Sequence, residues 1–153
     1  KEKILTSQTQ WSKGILKISS SRDDIKLYEK HALEFLNHLY GFNEGPVLFK
    51  PTKASYEQFR LTTEKALSYF VAGKNKSCKE DHGFALHPWK QIQFDNVKYM
   101  IEDTIAIVMG NYYFTDLNEI QLKAEYTFGY KLINSKLKIF LHHSSLPYKE
   151  EVE

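Results

Sequence analysis

The chain has 153 residues, a length that suits one compact domain. Its 21 basic and 19 acidic residues leave a formal charge of +2, and they are interspersed, as in Lys149-Glu150-Glu151, so the basic stripe of a nucleic-acid binder is missing. No apolar run approaches the ~18 residues of a membrane span, and a single cysteine, Cys78, excludes an internal disulfide and a multi-cysteine zinc site.

Residues 1–20 are weakly patterned, with Trp11, Ile15 and Leu16 as anchors; a short helix or an extension packed on the domain fits them. The first residues, Lys1-Glu2-Lys3, lack an initiator Met and read as the start of an excised piece. A targeting peptide removed from ahead of it would allow a plastid or another organelle, and the sequence leaves the compartment open.

Ser20 and Ser21 precede Arg22-Asp23-Asp24, with acids where a helix dipole favours them. Ile25, Tyr28, Ala32, Phe35, Leu36 and Leu39 then recur at helical spacing, and Gly41 follows as a stop. The pattern predicts a long amphipathic helix over 22–40. His31 and His38 lie two turns apart on it, too far for joint metal binding.

Val47-Leu48-Phe49 suits a short strand. Ser55 and Gln58 have capping-box spacing, which predicts a short helix there. A further helix is expected from Thr62 to Ala72, ended by Gly73. A polar loop over 74–83 holds Cys78, which reads as an incidental surface thiol.

The period then changes to two. Ile92, Phe94, Val97, Tyr99 and Ile101 alternate with polar residues, and Glu102-Asp103 marks a tight turn. Further strands are expected over Ile105 to Phe114, Ile120 to Tyr130 and Lys136 to His143, with Asn118 and Asn134-Ser135 at the turns. Short connections make these neighbours antiparallel. Helices followed by a four-stranded meander define an α+β domain with helices packed on one face of a curved antiparallel sheet. The expected division is an extension at 1–20, one domain at 21–148 and a tail at 149–153. Ten Tyr and ten Phe favour an interior lined by rings and hydroxyls, although a packed core accounts for them equally.

The last strand runs into His142-His143-Ser144-Ser145. Successive strand side chains alternate in face, so His142 and Ser144 share one side, and His143 and Ser145 the other. The two histidines therefore cannot chelate one metal unless the strand breaks. No other His or carboxylate spacing fits a metal site. Ser144 with His142 has the reach of a nucleophile and its base, but no Gly-x-Ser-x-Gly elbow is present. A plain hydrogen bond between them at a strand end accounts for the pair as well. Pro51-Thr52-Lys53 offers a hydroxyl on a stiffened approach, or simply a helix cap. Tyr69 or Phe70 should point into the core. Ala124, Tyr126, Phe128 and Tyr130 make one apolar-aromatic side of a strand, and the pattern does not say which side is inner.

Several segments together resemble the iota-class carbonic anhydrases over about residues 25–148. They are Phe49-Lys50-Pro51-Thr52-Lys53-Ala54, Phe59-Arg60, Ala66-Leu67-Ser68-Tyr69-Phe70, Gly83-Phe84-Ala85, Pro88-Trp89, Met109-Gly110-Asn111-Tyr112-Tyr113-Phe114, Glu125-Tyr126-Thr127-Phe128-Gly129-Tyr130 and Leu141-His142-His143-Ser144-Ser145-Leu146-Pro147-Tyr148. That family is related to the association domain of calcium/calmodulin-dependent protein kinase II. The resemblance implies a cone-shaped nuclear transport factor 2-like fold, a homodimer through the outer sheet face, and reversible hydration of carbon dioxide to bicarbonate. It also implies that some members need no metal or other cofactor, while manganese has been proposed for others. Carried over by motif, the catalytic residues are Thr52, Tyr69, Ser144 and His142. The substrate contacts are Thr52, Tyr69, Ser144 and Tyr126, with Ser145 as the alternative to Ser144.

The expected partners are thus a small substrate and a second copy of the chain, not nucleic acid or membrane. Two other functions stay open. One is a non-catalytic association or small-anion-binding domain of the same fold. The other is an isomerase or dehydratase, which would need an inward carboxylate base such as Glu125 or Asp103.

Overall fold

The structure, a computed structural model, describes residues 1–74 and 76–151. In chain order it comprises α1 (Glu2–Ser20), α2 (Ile25–Leu39), β1 (Leu48–Lys50), α3 (Thr63–Val71), β2 (Trp89–Glu102), β3 (Ile105–Asp116), β4 (Gln121–Ile133) and β5 (Lys136–Ser145), with one 3-10 turn at Phe84–Leu86. Among these residues no helix is long and apolar enough to cross a membrane. Residues 152 and 153 of the tail, and Asn75 of the polar loop, lie outside the described residues.

Residues 2–20 form one helix of 19 residues. Its apolar positions are spread over several turns between polar residues, which hides the stripe in the sequence. Ile4, Trp11, Ile15 and Ile18 are nevertheless buried in the main core. Trp11 is the hub: its ring lies within about 6 Å of Phe35, Phe94, Tyr112, Phe114, Phe128 and His142. Helix α2 buries the predicted stripe, Tyr28, Ala32, Phe35, Leu36 and Leu39, and starts later than expected because Asp24 caps it through the N–H of Leu27.

The sheet order is β1-β5-β4-β3-β2. The meander from β2 to β5 is antiparallel as expected, but β1 pairs with β5 in parallel, so the sheet is mixed. The sequence could not set that direction, because the connection from β1 passes through α3 and a long loop before the meander begins. A bulge between Asn96 and Lys98 shifts the alternation of β2 midway. Its neighbour Gly110 has no room for a side chain, since a Cβ there would meet the Asp95 carbonyl at 2.1 Å. Ala124, Tyr126, Phe128 and Tyr130 all face inward.

The helix expected near Ser55 does not form; residues 55–57 are bends. Their N–H groups, which would have opened that helix, all donate to the Glu80 carboxylate, at 2.8, 2.8 and 2.6 Å. That carboxylate sits across the loop and outcompetes a local cap. The expected surface thiol is also corrected. Cys78 is buried, with its Sγ donating to the Glu57 carboxylate at 2.9 Å. Burial and that carboxylate push the thiol pKa up.

Candidate active site

The parallel pairing of β1 with β5 places Phe49 beside His142 and Lys50 beside His143. Both strands run the same way, so the residue just past β1 meets the end of β5. Thr52 Oγ1 is consequently 2.6 Å from Ser144 Oγ. Tyr112, inward from β3, donates its hydroxyl to Ser144 Oγ at 2.5 Å and lies 3.4 Å from Thr52 Oγ1. Lys50 ties down the same strand end by donating to the Ser144 carbonyl at 2.9 Å. Thr52, Tyr112 and Ser144 are all buried.

Behind this trio stands His142. Its Nε2 lies 3.2 Å from the Tyr112 hydroxyl and its Nδ1 2.8 Å from the Tyr40 hydroxyl. Donor counting fixes the proton positions. Trp11 Nε1 can only donate, and it donates to Tyr40 at 3.0 Å. Tyr112 uses its single proton on Ser144, so the His142 contact requires Nε2–H as donor. Nδ1 then accepts from Tyr40. The protons thus point one way, from Trp11 through Tyr40, His142 and Tyr112 to Ser144. Burial, and secondarily the neighbouring His143, hold the His142 imidazole well below its ordinary pKa. Burial pushes the Tyr112 phenol up to about 12. The network is therefore neutral, and its phenols stay protonated.

Tyr69, from α3, accepts the Lys53 N–H at 3.2 Å, and burial raises its pKa. It also lines a cavity of about 700 Å³, whose walls include Lys53, Phe84, His87, Trp89 and Asp116 but none of the trio. The loop carrying Thr52 is held by a second, charged cluster. Arg60 pairs with Asp81 through two bonds of 2.7 Å, both side chains being buried, and Ser68 donates to the same carboxylate at 2.6 Å.

Other expectations fare differently. Ser145 lies on the outer face, donating to the Glu125 carboxylate at 3.0 Å, because strand alternation turns it away from Thr52. Tyr126 faces inward, but its hydroxyl is engaged by Gln8 and Asn96 rather than by the trio. Glu125 is on the outer face with Ser145, and Asp103 is an exposed turn residue, so neither offers an inward base. His143 is exposed and His142 buried, as alternation requires, and among the described residues no three His, Cys, Asp or Glu side chains converge as a ligand set. The sequence reading missed Tyr112 and Tyr40. Tyr112 shares the parity of the inward residues Val108 and Phe114, a signal that was present; the bridge at Tyr40 depends on tertiary packing alone.

Helices on one side of a curved sheet, with a polar cluster at the strand ends, define the nuclear transport factor 2-like fold. A solved protein of that fold and of unknown function from Pseudomonas putida KT2440 superposes with a TM-score of 0.57 at 11% identity, covering 98% of this chain and 88% of that one. Another, from Shewanella oneidensis MR-1, gives 0.52 at 16% identity, covering 94% and 97%.

A family model described as metal-independent carbonic anhydrase matches residues 2–146. The metal-independent carbonic anhydrase of Nostoc sp. strain PCC 7120 is 38% identical over 151 residues, 96% of this chain and 73% of the relative. The crystal structure of a cyanobacterial iota-carbonic anhydrase complexed with bicarbonate superposes with a TM-score of 0.93 at 34% identity, covering 98% of this chain and 93% of that one. The chain belongs to the metal-independent carbonic anhydrase family.

Proposed function

We propose that the protein interconverts carbon dioxide and bicarbonate at Thr52, Ser144 and Tyr69, with Tyr112 as a fourth hydroxyl, and that it does so without a metal. The observation that carries this is the cluster of the Thr52, Tyr112 and Ser144 hydroxyls set on a neutral, one-way hydrogen-bond chain from buried His142. Hydration turns an apolar substrate into an anion. A metal would assist by lowering the pKa of bound water. Hydroxyls act otherwise: they orient a water against the carbon and donate to the oxygens on which charge develops.

Hydroxyl protons rotate about their C–O bonds, so Thr52 can leave Ser144, and Ser144 can leave the Glu125 carbonyl to which it donates at 3.1 Å, and both can turn to an anion. A fixed carboxylate at this point would repel bicarbonate. The Lys50 ammonium at this strand end is bound to the Ser144 carbonyl, and burial lowers its pKa. His142 acts by holding Tyr112 in place. Aromatic walls, including Phe84 and Trp89, suit the apolar substrate.

Stopped-flow hydration on metal-stripped protein tests the reading. We expect activity to survive chelation and to gain nothing from zinc or manganese. Activity lost on stripping and restored by either ion would refute the metal-free version. Unchanged activity in Thr52→Ala, Tyr69→Phe and Ser144→Ala would refute the site.

A homodimer is part of the same reading. Val97 and Met109 stand exposed on the outer sheet face around a depression shared with Thr127 and His143, which supports pairing there. Light scattering should give twice the chain mass; a monomer at high concentration would contradict it.

A further inference from the structure

Each hydration releases one proton: CO2 + H2O → HCO3− + H+. The turnover therefore needs a group that accepts this proton and passes it to solvent. His142 is poorly placed for that task, being buried and held neutral, with both ring nitrogens engaged by tyrosines. The cavity that starts at Tyr69 carries another imidazole in its wall, His87.

His87 is built into its place. Its Nε2 is 3.0 Å from Asp116 Oδ2, and its ring lies 4.4 Å from that of Trp89, centre to centre. Its carbonyl accepts the Ser19 hydroxyl at 2.5 Å. The side chain is 48% exposed, whereas that of Asp116 is 6% exposed. Asp116 is fixed in turn, because its Oδ1 accepts the N–H groups of Asn118 and Ile120 at 2.9 and 3.0 Å. The His87 contact, then those N–H bonds, hold the Asp116 carboxyl below its usual range. One imidazole nitrogen thus meets a fixed anion, and Nδ1 has no side-chain partner among the described residues.

We propose that the His87–Asp116 pair is the proton relay between cavity water and bulk buffer, an inference that rests on the carbonic anhydrase reading. Nε2–H donates to Asp116, so Nδ1 supplies the lone pair that takes the proton from a water of the cavity. The imidazolium forms beside the Asp116 carboxylate. A buffer base then removes the proton from Nδ1, and His87 returns to its neutral form. A neutral imidazole can accept a proton on one nitrogen and release it again, and a carboxylate on the opposite nitrogen fixes the tautomer that does so.

The other charged groups around the cavity are already occupied or poorly placed. Glu80 is bound by three N–H groups and Asp81 by Arg60. Lys53 is exposed, and Lys90, next to Trp89, pairs with Glu119. On the α1 side, Arg22 donates to the Ser19 carbonyl. His82 also lines the cavity, but it is exposed and has no side-chain partner among the described residues to fix its ring.

The test is stopped-flow hydration of His87→Ala, Asp116→Asn and His82→Ala in weakly buffered solution and in concentrated imidazole. In weak buffer, His87→Ala should lose about tenfold in kcat while kcat/KM holds, and imidazole should restore kcat. Asp116→Asn should show a smaller loss of the same kind, and His82→Ala should match the unaltered protein. Full kcat for His87→Ala in weak buffer would overturn the relay. So would an equal fall of kcat and kcat/KM in every buffer, or the same imidazole-rescued loss in His82→Ala. If the unaltered protein hydrates no carbon dioxide even in concentrated imidazole, the functional reading itself falls, a result distinct from these.

Discussion

Two buried polar clusters flank the loop between β1 and α3, and they are built from opposite materials. At Thr52 the side chains that bond one another are neutral, namely three hydroxyls, two more tyrosines and an uncharged imidazole, and the one ammonium there, Lys50, meets only the Ser144 carbonyl. At Arg60 they are ions: a guanidinium, the carboxylate of Asp81 and, toward the surface, Glu57 with Lys65. An ion pair out of water holds well only in one geometry, so it suits a part that must not move. Hydroxyls can rotate, so they suit a place where a ligand must be exchanged for an internal partner. Charge fixes the loop, and neutral donors at its other end are left to respond to an anion.

The sharpest way to break this contrast is to remove one ion. Asp81→Ala leaves Arg60 buried without a counter-charge and strips Ser68 of its acceptor, and should cost about 3–5 kcal/mol in urea unfolding. A joint change of Arg60 and Asp81 to apolar residues of similar volume should recover much of that loss. A cost under about 1 kcal/mol for Asp81→Ala would mean that the pair does not hold the loop.

The neutral cluster should fail in the other way. Tyr112→Phe and Ser144→Ala should each lower kcat/KM by about a hundredfold, as loss of one well-placed donor does. Stability should fall by only about 1–3 kcal/mol, from the partners left unsatisfied. The double variant should lose much less than the product of the two, because each removes the same Tyr112–Ser144 bond. Independent losses would mean that the two hydroxyls act separately.

How much of this was legible follows from the range of each interaction. Helix α2, the meander and the opposite faces of His142 and His143 come from local periodicity, and the sequence shows them. The meeting of Thr52 with Ser144 does not, because it depends on the parallel direction of β1, set across more than 90 residues of chain. Motif resemblance brought those residues together where periodicity could not. Helix α1 was obscured by polar residues between its apolar anchors, and Glu80 by its distance from the N–H groups it serves. The Cys78 environment was missed because Lys76, Ser77 and Lys79 describe the loop surface and not the Glu57 side chain beneath it.

A smaller effect concerns acid stability, and it tests whether the neutral cluster is neutral by construction. His142 is held uncharged in the fold by burial. In the unfolded chain an imidazole titrates near ~6.5. Between that value and its lower folded pKa, the unfolded state binds more protons, so stability rises with pH through this window. The contribution is complete above about pH 6.5 and is lost as the pH falls below it, at up to roughly 1.4 kcal/mol per pH unit. His142→Gln keeps a donor and an acceptor near Tyr112 and Tyr40 but cannot take up the proton. Urea midpoints measured across this range should therefore fall less steeply for the variant than for the unaltered protein. Every other ionisable group is common to the two proteins, so the difference in slope isolates His142. Parallel slopes would mean that the imidazole accepts a proton where it stands. The neutral chain from Trp11 to Ser144 would then need a charge inside it, and the contrast with the Arg60 cluster would disappear.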